Sequence, residues 1–204
     1  MADIQNLRAD LDMITDEIVC GLAGRSRYLL NSGIFIEKKG VSNITLFEQK
    51  LIDYASKGKL YHEPVIEIPQ MFDQKIIEIY TKALAKICKP GENKTEYEQV
   101  VEKDINNFRL YSERVKKYGV LIADSKIKND ESFLLPMSRN ALQQKLVDED
   151  REKKVIKYAL NIAKLEELEN DAAISEFFKN LMSLTVDVEI LYVERKVFEN
   201  GFCF

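Results

Sequence analysis

Tryptophan is absent from this chain, histidine occurs once, and glycine and proline are sparse at 8 and 4 in 204 residues. A sequence so poor in turn residues is not one of many short strands joined by tight turns, and long helices are the expectation. The lone histidine, His62, leaves no His-containing triad to assemble except around itself, and its Tyr-His-Glu-Pro setting reads as surface. Cys20, Cys88 and Cys203 are odd in number and widely spaced, which fits neither a disulfide framework nor a zinc site. A glycine-rich phosphate loop is missing as well. No apolar run approaches the ~18 residues of a membrane helix. The start, Met1-Ala-Asp-Ile, lacks the basic-then-apolar order of a signal peptide, so the expectation is a cytoplasmic protein. With 30 Lys and Arg against 34 Asp and Glu, the net charge of -4 lacks the basic surplus that nucleic-acid phosphates demand. Local basic residues remain available to a small anionic substrate.

What is present is an ordinary globular mix, 46% hydrophobic and 31% charged, long enough to bury a core. No sharp change in composition and no internal repeat divides it, so one domain over residues 1–204 is expected. The informative stretch is 181–195. At helical period Leu181, Leu184, Val188 and Leu191 form an apolar stripe that Val186, Ile190 and Val193 widen almost to the full circumference. A buried helix is predicted. Thr185 and Glu189 interrupt it at i, i+4, stacking a hydroxyl and a carboxyl on one face. A carboxylate there must be hydrogen-bonded or protonated, unless the pair faces solvent.

Similar periodicity predicts helices elsewhere. One runs over residues 3–32, capped by Asp3, with Ile4, Leu7, Leu11, Ile14, Ile18 and Leu22 recurring, and an Asn31-Ser-Gly stop. Arg8 and Arg25 lie on it ~25 Å apart, each reading by itself as a solvated arginine. Further helices are expected over 45–56, 68–88, 95–128, from the acidic run Asp148–Glu152 to about Leu168, and over 172–198.

Four segments in order resemble the all-helical (AroQ) chorismate mutases, eukaryotic-type branch. The first is Arg8 followed by Gly21-Leu-Ala-Gly-Arg25, Tyr28 and Asn31, with Ala-Gly where that family usually has Ile-Glu. The second is Asp104, Ser112-Glu-Arg114, Tyr118-Gly119 and Ala123-Asp-Ser-Lys126. The third is Ala141-Leu-Gln-Gln-Lys-Leu146 with Glu152-Lys-Lys-Val155. The fourth and most specific is Leu184-Thr-Val-Asp-Val-Glu-Ile-Leu-Tyr-Val-Glu-Arg195. One departure concerns spacing. Arg114 and Lys126 are 12 residues apart where the family has 11. Eleven residues bring two side chains to about the same azimuth, whereas twelve leave them ~120° apart. A one-residue π-bulge between Val115 and Tyr118 would restore the register. The alternative is an exposed Lys/Arg face on a long helix.

The resemblance implies an all-α, multi-helix bundle and the pericyclic rearrangement of chorismate to prephenate in phenylalanine and tyrosine biosynthesis. It implies no metal and no cofactor. Arg8 and Arg114 would grip the two substrate carboxylates, Lys126 would reach the ether oxygen and a carboxylate, and Glu152 would accept from the ring hydroxyl. Asp148, where the family can have an amide, would stand beside the substrate, and Thr185 would bond a carboxylate. The competing reading of Asp148 and Glu152, within an acidic run, is capping and solvation. Glu189 would sit against the ether oxygen as a protonated donor, since an ionised carboxylate would repel the charge developing there. A homodimer is also implied. Glu98-Gln99 stands where the family's effector site uses Gly-Ser, which predicts weak or no response to tryptophan and tyrosine. The alternatives are a non-catalytic helical protein on the same fold and an isochorismate-pyruvate lyase.

Overall fold

The computed structural model describes residues 4–39, 43–58 and 68–201. Asp3, His62 and Cys203 lie outside them, and with them the expected cap, the surface histidine and one cysteine. The order of elements is α1 (Ile4–Ser26), α2 (Gly33–Ile36), β1 (Lys38–Lys39), β2 (Ile44–Thr45), α3 (Leu46–Ser56), α4 (Met71–Ile87), α5 (Tyr97–Ser112), a π turn (Glu113–Lys117), α6 (Tyr118–Asn129), α7 (Arg139–Leu146), α8 (Glu149–Leu165) and α9 (Asp171–Glu199). The all-α expectation holds, and the only sheet among the described residues is the two-residue antiparallel pair β1–β2.

The bundle is built around α9. Its 29 residues follow the N-cap Asn170, whose left-handed backbone (φ 84°) accompanies a side chain that accepts from the Ala173 amide. Fifteen of its residues are buried, from Ala173 to Val197, and it packs against α4, α6, α7 and α8. Its wide apolar surface is enclosed by these neighbours, while Glu176, Lys179, Asn180 and Ser183 form its exposed stripe. Each large apolar side chain so buried contributes roughly 1.5–3 kcal/mol. Where α6 crosses α9, Gly119 allows the close approach. A Cβ there would lie 2.9 Å from Val188 Cγ1.

The first helix ends at Ser26, earlier than the expected 32, and the cause is Arg25. This arginine is not solvated but 0% exposed. Its Nη1 and Nη2 donate to the Leu29 and Leu30 carbonyls at 2.9 and 2.7 Å. Meanwhile the Leu30 and Asn31 amides turn to the Lys89 and Gly91 carbonyls in the loop after α4. Residues that bond to that loop are lost to the helical ladder. Arg25 Nε pairs with Asp104 Oδ1 at 2.8 Å, and the same oxygen accepts from Tyr80 Oη at 2.6 Å, tying α1 to α4 and α5. Elsewhere α3 starts on a reciprocal capping box between Thr45 and Glu48. α8 starts at Glu149, within the expected acidic run, where Asp148 caps it by accepting from the Arg151 amide at 3.0 Å.

Candidate active site

Thr185 and Glu189 are both 3% exposed, so the pair faces the bundle interior and not solvent. Glu189 Oε2 accepts from Lys126 Nζ at 2.7 Å, and Lys126 also donates to the carbonyl of Leu146, the last residue of α7, at 2.6 Å. Burial pushes the Glu189 carboxyl above its ordinary range, although the adjacent Lys126 and Arg114 charges pull the other way. Thr185 Oγ1 donates to the Leu181 carbonyl at 2.9 Å, which turns its lone pairs, not its proton, outward from the helix.

Arg114 reaches the same place through the backbone. The π turn Glu113–Lys117 interrupts the long helix that would otherwise join α5 to α6. Extra winding there absorbs the additional residue between Arg114 and Lys126, and both side chains line one cavity. The expected bulge is therefore present, displaced by two residues so that it includes Arg114 itself. This arginine is 5% exposed, and its Nε and Nη1 have no hydrogen-bond partner. Burial lowers its pKa to about 10, with the Glu189 carboxylate opposing and Arg151 reinforcing the shift. A buried guanidinium with idle donors costs about 1–3 kcal/mol per group, and an anion in front of it relieves that cost.

The third wall is the start of α8. Glu152 lies in its first turn, partly buried, with its pKa raised by burial and by the neighbouring Glu149 and Asp148 charges. Asp148 faces Arg8 of α1, with Nη2 to Oδ2 at 3.9 Å and side chains 53% and 41% exposed. Arg151 is a cavity residue that the sequence reading missed. It bonds Asp12 of α1 at 2.5 Å. In sequence it is one more charge in an acidic run, and only the α1–α8 contact singles it out.

The cavity encloses about 110 Å³. Arg8, Arg114, Lys126, Asp148, Glu152, Thr185 and Glu189 all line it, so the structure brings together every residue singled out for a site. Arg25 is not among them. Leu7, Leu11, Ile122, Val155 and Met182 supply an apolar lining. Four cations and three carboxylates converge on a small space walled by hydrocarbon, where charges act with less screening than in water. Such an arrangement suits holding a compact anion and stabilising charge that shifts within it. Among the described residues no cluster of three His, Cys, Asp or Glu side chains has the geometry of a metal site.

No protein-family model and no curated protein sequence matches the chain. Solved structures do. The Aro7p chorismate mutase of Candida albicans, in complex with L-Trp, superposes with a TM-score of 0.82 at 18% identity, over 98% of this chain and 93% of that one. The chloroplast chorismate mutase of Zea mays gives 0.77 at 18% identity, over 95% of each chain. AtCM1 with tyrosine bound in its allosteric site gives 0.74 at 19% identity, over 94% of this chain and 95% of that one. Over nearly its whole length this chain has the fold of the eukaryotic all-helical chorismate mutases.

Proposed function

We propose that the protein is a chorismate mutase, converting chorismate to prephenate in one intramolecular step. The observation that carries the proposal is Arg114, a buried guanidinium with two idle donors facing Lys126 and Glu189 across one cavity. In the reaction the ether C–O bond breaks as a new C–C bond forms, with no net proton transfer. Catalysis then consists of holding the compact conformer and stabilising the negative charge that develops on the ether oxygen.

In this reading Arg114 takes one substrate carboxylate through Nε and Nη1, and Arg8 takes the other. Lys126 has a proton left after Leu146 and Glu189, and directs it to the ether oxygen and the nearer carboxylate. Protonated Glu189 accepts from Lys126 on Oε2 and donates to the ether oxygen from Oε1. Glu152 accepts from the ring hydroxyl, with Asp148 one turn away in the same wall. Thr185 bonds a carboxylate once its hydroxyl swings away from Leu181. We further propose one domain over 1–204, a cytoplasmic location and a homodimer. A weak or absent response to tryptophan and tyrosine belongs to the same proposal, because Glu98 stands where the effector site uses a small residue and is engaged by Lys50 of α3 at 2.7 Å. No helix among the described residues is long and apolar enough to cross a membrane.

The test is the loss of chorismate absorbance with purified protein from acidic to neutral pH, with the product identified. Prephenate is expected. A folded protein that converts no chorismate at any pH overturns the proposal, and release of pyruvate from isochorismate instead assigns the lyase reaction.

A further inference from the structure

Arg8 and Asp12 stand one turn apart on α1, and Asp148 and Arg151 stand three residues apart at the start of α8. The order of charge is opposite on the two elements, so they meet as two rungs, Arg8–Asp148 and Asp12–Arg151. The rungs are unequal. Asp12–Arg151 closes to 2.5 Å, whereas Arg8–Asp148 spans 3.9 Å between side chains about half open to solvent. Exposed ion pairs of that kind contribute little and give way readily. Both members of the long rung line the cavity, and Asp12 does not.

Asp148 has a structural duty that does not need its charge. It caps α8 by accepting from the Arg151 amide, and asparagine caps a helix equally well. Its carboxylate stands beside Glu152 in the cavity wall, with Glu149 adding like charge from the same helix turn. A dianionic substrate entering there meets repulsion, and it finds Arg8 facing a carboxylate already.

We infer that Asp148 is an internal competitor for the substrate: it faces Arg8 in the free protein, and binding exchanges it for a substrate carboxylate while Asp12–Arg151 keeps α1 and α8 together. The inference deepens the chorismate mutase reading and rests on it for the identity of the anion. It sets affinity, not chemistry.

The experiment is Asp148→Asn, which keeps the cap and removes the competitor. The KM for chorismate should fall about two- to five-fold, the range set by a weak exposed ion pair. Calorimetric Kd for an unreactive bicyclic ether dicarboxylate should fall by the same factor. The gain should shrink on raising ionic strength to about 0.5 M, because it is electrostatic. Thermal stability should hold or drop slightly, since the N-terminus of α8 loses a favourable negative charge. A purely structural residue would lose stability and affinity together. An unchanged or higher Kd in the folded variant overturns the inference. If wild-type protein leaves chorismate intact, the reading of the reaction fails, and the dicarboxylate Kd still decides whether Asp148 competes.

Discussion

Arg114 and Lys126 lie twelve residues apart along the central helical segment, yet both point into the same cavity, because Glu113–Lys117 winds as a π turn. A π turn is one inserted residue accommodated without breaking the helix. Deleting Lys117 should convert the segment to regular α-helix and keep the two side chains on one face. Chorismate turnover within about tenfold of wild type is expected, with helical content unchanged. A loss beyond about a hundredfold in a protein of unaltered melting temperature would show that the π geometry itself is required.

The idle donors of Arg114 predict opposite effects on stability and activity. Arg114→Met replaces a buried cation that has two idle donors with an apolar side chain. Without ligand, stability should rise by about 1–3 kcal/mol, visible as a higher melting temperature. At the same time kcat/KM should fall at least about a hundredfold, through the loss of two charge-assisted bonds to a carboxylate. A variant that is both less stable and fully active would contradict the role assigned to Arg114.

Glu189 predicts a pH profile. Burial raises its pKa above 4.5, Lys126 and Arg114 favour the ionised form, and Glu152 opposes ionisation. The donor is the protonated form. Activity is therefore full below the raised pKa and declines as pH climbs through it. Glu189→Gln keeps a donor at every pH, so its profile should be flat across that range and should exceed wild type at the alkaline end. Loss of activity in Glu189→Gln at every pH would sink the donor role.

Gly119 packs against Val188 Cβ and Cγ1 at 3.0 and 2.9 Å from where a Cβ would stand, with the Thr185 carbonyl at 3.3 Å. Gly119→Ala gains about 1 kcal/mol of helix propensity. It loses about 1–3 kcal/mol to overpacking, since Val188 is fully buried. Net destabilisation is expected, with kcat lowered about tenfold as α6, bearing Lys126, shifts from α9, bearing Glu189. Adding Val188→Ala should restore both quantities. Failure to do so would place the constraint on the backbone contact with Thr185.

Apolar periodicity, capping residues and turn chemistry act over a few residues, and they were enough to place α3, α4 and α9 to within a few positions. The resemblance to the all-helical chorismate mutases grouped Arg8, Arg114, Lys126, Asp148, Glu152, Thr185 and Glu189, and all seven line one cavity. What the linear chain could not show depends on partners distant in sequence. Arg25 looks like any surface arginine until Asp104 and Tyr80 close around it, and that cluster is what ends α1 early. Arg151 acquires a place only from Asp12, 139 residues away. The burial of Thr185 and Glu189 follows from the neighbours that enclose α9, not from the helix itself. Local pattern determined which segments are helical. Only the tertiary structure decided which charges are buried, which are paired and which are left idle for a ligand, because desolvation and ion pairing are properties of the assembled surroundings and not of the segment.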